Sequence, residues 1–226
     1  MSEATFRNQD QLFDEERFAK ITEQPEWDAD RIAEVRLRLE ELLEQKEQLD
    51  EEMERPMTEL ETQYHWISAV LRALGFTFSV AELTPVDEPA RPDFTLFYNA
   101  DDFHSATPAR GERDFFTHAI GLVRGFKWDA SLDEYEQQDG PSSPAFEIDR
   151  SIRATGVDWG VLTNGQLWRL YHRDTSGLFS TFYEVNLLEA LQSGDVEQFK
   201  YFWAIFSPEG LGGFQGQDAI VRRMLH

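Results

Sequence analysis

Apolar residues recur along this chain with two periods, and the period sets the element. Between residues 28 and 54, Ile32, Val35, Leu39, Leu42, Leu49 and Met53 follow a three-four spacing among charged residues. That predicts one long amphipathic helix with a narrow apolar seam, interrupted only by Lys46. Pro56 breaks it. A second helix, 57–74, follows, with Leu60, Tyr64, Ile67, Val70, Leu71 and Leu74 on one face and Gly75 as its stop. Residues 12–18 predict a short helix closed by Pro25. Residues 76–80 alternate as a strand. After a proline- and acid-rich link, 85–89, come a second strand at 91–98, helical turns at 99–107 and 112–118, and a buried strand at 118–127. The polar stretch 129–143 predicts a mobile loop. Pro144 opens a helix that Gly156 ends. Strands at 158–163 and 166–171 are joined by Asn164-Gly165, a strong hairpin signal. A strand at 179–185, helices at 187–192 and 196–206, and a glycine-rich tail complete the pattern.

This alternation of helices and strands predicts an α/β protein with a mixed sheet, in which strand 118–127 is central and the hairpin joins the same sheet. Residues 1–56 read as a helical N-terminal extension, 57–206 as the core domain and 207–226 as a C-terminal tail. The seam of helix 28–54 has two uses. It packs on the same chain, or it serves as an arm for an oligomer or partner.

Composition narrows the setting. Apolar residues make up 41% of the chain, enough for a core, and cysteine is absent, which fits a reducing cytoplasm. No apolar run approaches the ~20 residues of a membrane span, so no membrane partner is expected. The formal net charge is -22. Its acids are scattered along the whole chain, as on a salt-adapted, halophilic surface; the rival reading is an acidic decoy for a nucleic-acid-binding partner. Duplex DNA would then have to be met by a local cluster of cations. Arg110, Arg113, Lys127, Arg150 and Arg153 are the candidates, with Arg124, Arg169 and Arg173 near them in sequence. The five histidines, His65, His104, His118, His172 and His226, lack metal-ligand spacing.

Four segments carry a resemblance. Residues 67–76 run from a helix into a strand, and 91–97 hold Pro92-Asp93 at a strand start. Residues 127–133 read Lys-Trp-Asp-Ala-Ser-Leu-Asp, and 155–171 read Thr-Gly-Val-Asp-Trp-Gly-Val-Leu-Thr-Asn-Gly-Gln-Leu-Trp-Arg-Leu-Tyr. Together they resemble the N-terminal PD-(D/E)xK nuclease region of type II restriction–modification enzymes, in which a nuclease is fused to an adenine methyltransferase. The likeness covers nearly the whole chain. It implies a restriction-endonuclease-like core with a long-helix extension. It also implies a methyltransferase after about residue 220. This chain lacks one, and so reads as a stand-alone remnant, a subunit or a piece of a longer protein.

The same register places the departures. Aligned on Trp128, the family's metal-binding Glu falls on Arg124 and its catalytic Lys on Phe126. A Gln-x-x-x-Tyr pair falls on Glu147 and Ser151. Asp93 alone keeps a ligand-type residue in place. A guanidinium ~4 Å from a divalent ion costs roughly 8 kcal/mol at an effective dielectric of 20. The resemblance therefore implies a catalytically degenerate domain of a DNA restriction–modification or phage-defence system. It would act in DNA binding or in assembly with a methyltransferase or other subunit, and would need no cofactor. Arg124 is then expected to pair with Asp93 and to reach Glu147. Two alternatives stay open. One is an active Mg2+-dependent endonuclease, with Asp93 as metal ligand, carboxylates from Glu112, Asp114 or Glu147, and Lys127 turned inward by a bulge near Gly125. The other is a structural subunit that docks through helix 28–54 without DNA.

Overall fold

The computed structural model describes residues 5–83, 91–133, 135–137 and 140–225. The link 85–89 and His226 lie outside them. Among the described residues nine strands form: β1 (Phe6–Gln9), β2 (Thr77–Val80), β3 (Phe94–Phe97), β4 (Gly121–Gly125), β5 (Tyr135–Gln137), β6 (Gly140–Ser142), β7 (Trp159–Thr163), β8 (Leu167–His172) and β9 (Phe182–Asn186). Seven of them make one sheet in the order β1-β9-β8-β7-β4-β3-β2, and β5 and β6 make a separate hairpin inside the expected loop. Every neighbouring pair in the large sheet is antiparallel except β4 and β7. The fold is thus mixed α/β, as the pattern predicts. β4 is an interior strand and the β7–β8 hairpin belongs to the same sheet. The turn is wider than a two-residue hairpin. Thr163 pairs with Trp168, and the Asn164 side chain accepts from the backbone N–H of Gln166 and Leu167.

The helices are α1 (Glu15–Ala19), α2 (Ala29–Met53), α3 (Glu59–Glu61), α4 (Ser68–Leu74), α5 (Ala100–Ala106), α6 (Pro144–Thr155), α7 (Leu187–Gln192), α8 (Val196–Phe206), α9 (Pro208–Gly212) and α10 (Ile220–Met224). They cover both faces of the sheet. Val123, Val161, Leu170 and Val185 join a core with α2, α4 and α8. Leu122, Leu162 and Tyr171 join another with α6 and Phe115-Phe116. Strands buried on both faces read as unbroken apolar runs, which is why β4 and β7 are so apolar in sequence.

The seam of α2 takes the first of its two expected uses and packs on the same chain, while two other expectations are corrected. Ile32, Leu39 and Leu43 are buried in the common core, and Lys46 continues the stripe, buried beside Asp50 with its ammonium 3.6 Å from the Trp128 ring centre. Residues 1–56 and 207–226 are not appendages. β1 pairs with β9 as an edge of the sheet, and Phe13, Leu211, Val221 and Met224 lie in the same core as Trp168. Helix 57–74 is not uniform. Residues Thr62–Ile67 are π-helical, between α3 and α4. A π turn adds a residue to the helical repeat. Leu60 before it and Tyr64 within it are exposed at 73% and 70%, while Met57 and Thr62 are buried.

α6 carries the chain from the end of β4 to the start of β7, and it lies close on β7 because residue 160 has no side chain. A methyl group there would sit 2.5 Å from Ile148 Cγ1 and 2.7 Å from Ile152 Cδ1. Gly160→Ala should therefore destabilise the fold by about 1–3 kcal/mol, the usual cost of overfilling a core. A lowered urea midpoint with an unchanged m-value would register it.

Candidate functional site

Arg124 is the next-to-last residue of β4, at the end of the sheet where the parallel strands β4 and β7 finish. It shares a strand face with Leu122 and Phe126, and this face looks toward α6. Pairing of Phe94 with Val123 puts Asp93 directly opposite Arg124. Arg124 Nη1 donates to Asp93 Oδ2 at 2.7 Å and to the Gly125 carbonyl at 3.0 Å. Nε donates to Glu147 Oε2 at 2.8 Å, from the first turn of α6. Nη2 donates to Glu59 Oε1 at 3.1 Å, from the first residue of α3. The guanidinium carbon lies 4.7 Å from the centre of the Phe126 ring. One cation thus holds three carboxylates drawn from three elements.

The backbone completes the arrangement. Gly125 N–H donates to Asp93 Oδ2 at 2.7 Å, and Gln63 Nε2 donates to the Gly125 carbonyl at 2.8 Å. Residue 125 must be small, because a methyl group there would come within 2.6 Å of Ile67 Cδ1. Trp66 Nε1 donates to the Gly165 carbonyl, and Trp128 N–H donates to Thr62 Oγ1. The π-helical segment therefore pins the ends of β4 and β7 from the opposite face.

The two partners of the central pair respond unequally. Burial opposes the charge on Arg124, but Asp93, Glu147 and Glu59 outweigh it and hold the guanidinium pKa above its usual value. Asp93 shares that single cation with two other carboxylates. Burial raises its pKa, Arg124 and the Gly125 N–H pull it down, Glu147 pushes it up, and the net shift is upward.

The other expected site residues are placed as follows. Phe126 is buried beneath the guanidinium. Lys127 is exposed beyond the end of β4, so no bulge turns it inward. Ser151 is buried and donates to the Glu147 carbonyl within α6. Glu112 and Asp114 are exposed on the turn before β4, away from Arg124 in sequence and in contacts. Most of the expected cations have acidic partners. Arg110 pairs with Glu82, Arg153 with Asp149, Arg173 with Asp158, and buried Arg169 with Glu184 and Asp133. Arg113 approaches Gly156, at the far end of α6 from Glu147, about 14 Å away by helical rise. Arg150 stands half-buried on α6. Glu59 is the member that sequence reasoning misses. Its helix start was legible in the Thr58–Glu61 capping box, which forms. Its target was not, since the strand end it meets is 65 residues away in the chain.

Among the described residues, no group of three or more acidic, histidine or cysteine side chains is arranged for a metal ion; Glu59, Asp93 and Glu147 converge on a guanidinium instead. Comparison with protein-family models, curated proteins and solved structures finds no match.

Arg124→Ala should cost about 3 kcal/mol at neutral pH, because it strands carboxylates around a largely buried position. A carboxyl whose folded pKa lies above its unfolded value binds more protons when folded, so stability falls as pH rises between the two values. Losing Arg124 moves the folded value of Asp93 further up and widens that interval. The deficit of the variant should therefore be smaller at pH 5 than at pH 7 in urea titrations, and equal deficits would count against this account.

Proposed function

We propose that the chain is a PD-(D/E)xK-type, restriction-endonuclease-like domain that has lost catalysis, belongs to a DNA restriction–modification or phage-defence system, and works by binding. The observation that carries this reading is Arg124 at the meeting point of Glu59, Asp93 and Glu147. Metal-assisted phosphodiester hydrolysis needs carboxylates free to hold a divalent ion, which polarises the phosphate and activates water. Here the carboxylates are already committed to a cation that cannot bind water as a nucleophile. The residue in register with the catalytic lysine is a buried phenylalanine, so no cation is offered to a pentavalent phosphate at that point. With α5 inserted between β3 and β4 and the β5–β6 hairpin between β4 and α6, the order α4, β2, β3, β4, α6 and β7 supports such a core.

The pairing of the arginines with acids favours a protein subunit, such as a methyltransferase, over duplex DNA as the main partner. Mg2+ would enter the reading only if Arg124 left the cluster, with Asp93 and Glu147 then available as ligands. The protein incubated with duplex DNA and Mg2+ or Mn2+ should leave it intact. The double variant Arg124→Glu, Phe126→Lys should gain Mn2+ binding by calorimetry that the parent lacks. Cleavage by the parent protein that Asp93→Ala abolishes would overturn the proposal.

A further inference from the structure

A second site, independent of the nuclease reading, lies where β8, β9 and β1 meet the start of α6. A cavity of about 680 Å3 opens there, within the size range of small-molecule sites. Its inner wall carries two guanidiniums. Arg169 is only 3% exposed. Its Nε meets Glu184 Oε2 at 2.7 Å, and its Nη1 meets the Leu132 carbonyl at 3.2 Å and Asp133 at 3.0 Å. Arg7 meets the other oxygen of Glu184 at 3.0 Å, with half of its side chain exposed. Asp133 is 75% exposed, so solvent screens its charge. Among the described residues the inner wall therefore sets Arg7 and Arg169 against Glu184, which is buried, and Asp133, which stands largely in solvent.

The facing wall is apolar and open. Phe179 has φ 59 and ψ -25, a conformation that a bulky residue rarely adopts. The Tyr171 hydroxyl donates to its carbonyl at 3.4 Å. This backbone leaves the Phe179 ring 37% exposed and edge-on to Phe146, with centroids 6.3 Å apart. Leu178 beside it is 66% exposed. Large apolar side chains held in water at a cavity mouth mark a binding surface, and an outlying backbone angle is tolerated where such a surface needs it. Ser143 lines the same cavity, and its hydroxyl is not used to cap α6.

We propose that this cavity binds a planar aromatic anion of nucleotide size, its anionic group against Arg7 and Arg169 and its ring against Phe179. The ligand's anionic group would take the place on the guanidiniums that the solvent-exposed Asp133 holds, and its ring would cover Phe179 in one step. Its polar edge would have the Ser143 hydroxyl as a partner.

The test is calorimetric titration of the full chain with adenosine monophosphate, adenosine and inorganic phosphate. Adenosine monophosphate should bind, with adenosine and phosphate each at least about tenfold weaker. Arg7→Met and Phe179→Ala should each lose at least about tenfold in affinity; Arg113→Met, remote from the cavity, should change nothing. Circular dichroism checks that the variants stay folded, and Arg7, half exposed, is the safer of the two. No binding of the nucleotide at about 1 mM would overturn the proposal. So would an affinity untouched by Arg7→Met. Phosphate binding as tightly as the nucleotide would reduce the site to an adventitious ion only, and would overturn it too.

Discussion

A guanidinium taken largely out of water must be neutralised where it stands, and Arg124 is neutralised by carboxylates from three separate elements. Glu59 belongs to α3, Asp93 to the start of β3 and Glu147 to α6. Each ion pair holds only if its element is in place, so the cluster reports on the docking of both covering layers at once. Desolvation takes back much of what the Coulomb attraction supplies, and an apolar filling of the same volume would hold the fold about as well. What Arg124 adds is position: the strand end, the start of α6 and the helical segment before α4 are fixed relative to one another. The same commitment removes the freedom of these carboxylates to hold anything else.

The chemistry of that end of the sheet follows from topology. β4 and β7 run parallel, and their connection must cross the sheet through α6, which brings the first turn of a helix beside the end of β4. Open α/β sheets tend to bind ligands outside the carboxyl ends of such strands. The absence of side chains at Gly160 and Gly125 is what lets α6 on one face and the π-helical segment on the other approach so closely. Both the Arg124 cluster and the cavity beside Arg169 begin at the start of α6.

Much of this was legible in the chain. Periodicity located α2, α6 and α8 and the strands of the sheet, because each buries a regular stripe or run. Aligning Trp128 with a known motif was enough to turn Arg124 toward Asp93, since residues two apart on a strand share a face. Reading failed where one element's geometry depends on another. Leu60 and Tyr64 fit the helical repeat locally, but the chain departs from that repeat at the π turn that serves Gln63 and Trp66, and both side chains stand in solvent. The tail reads as glycine-rich with one amphipathic turn. Yet Ile220, Val221 and Met224 are buried, and Asp14 N–H bonds the Met224 carbonyl, a closure between the two ends that no local pattern announces. Lys46 reads as a break in an apolar seam because hydrophobicity takes no account of an aromatic face waiting for it.

That contact has its own use. The chain has few lysines, and Lys46 is buried between Asp50 and the face of Trp128. Lys20 and Lys127, by contrast, are exposed. An amine-reactive reagent meets Lys46 only when α2 lifts away from the strand end that carries Trp128. The rate at which its ε-amine is modified, against that of the exposed lysines, is therefore a clock for the local opening of the longest helix.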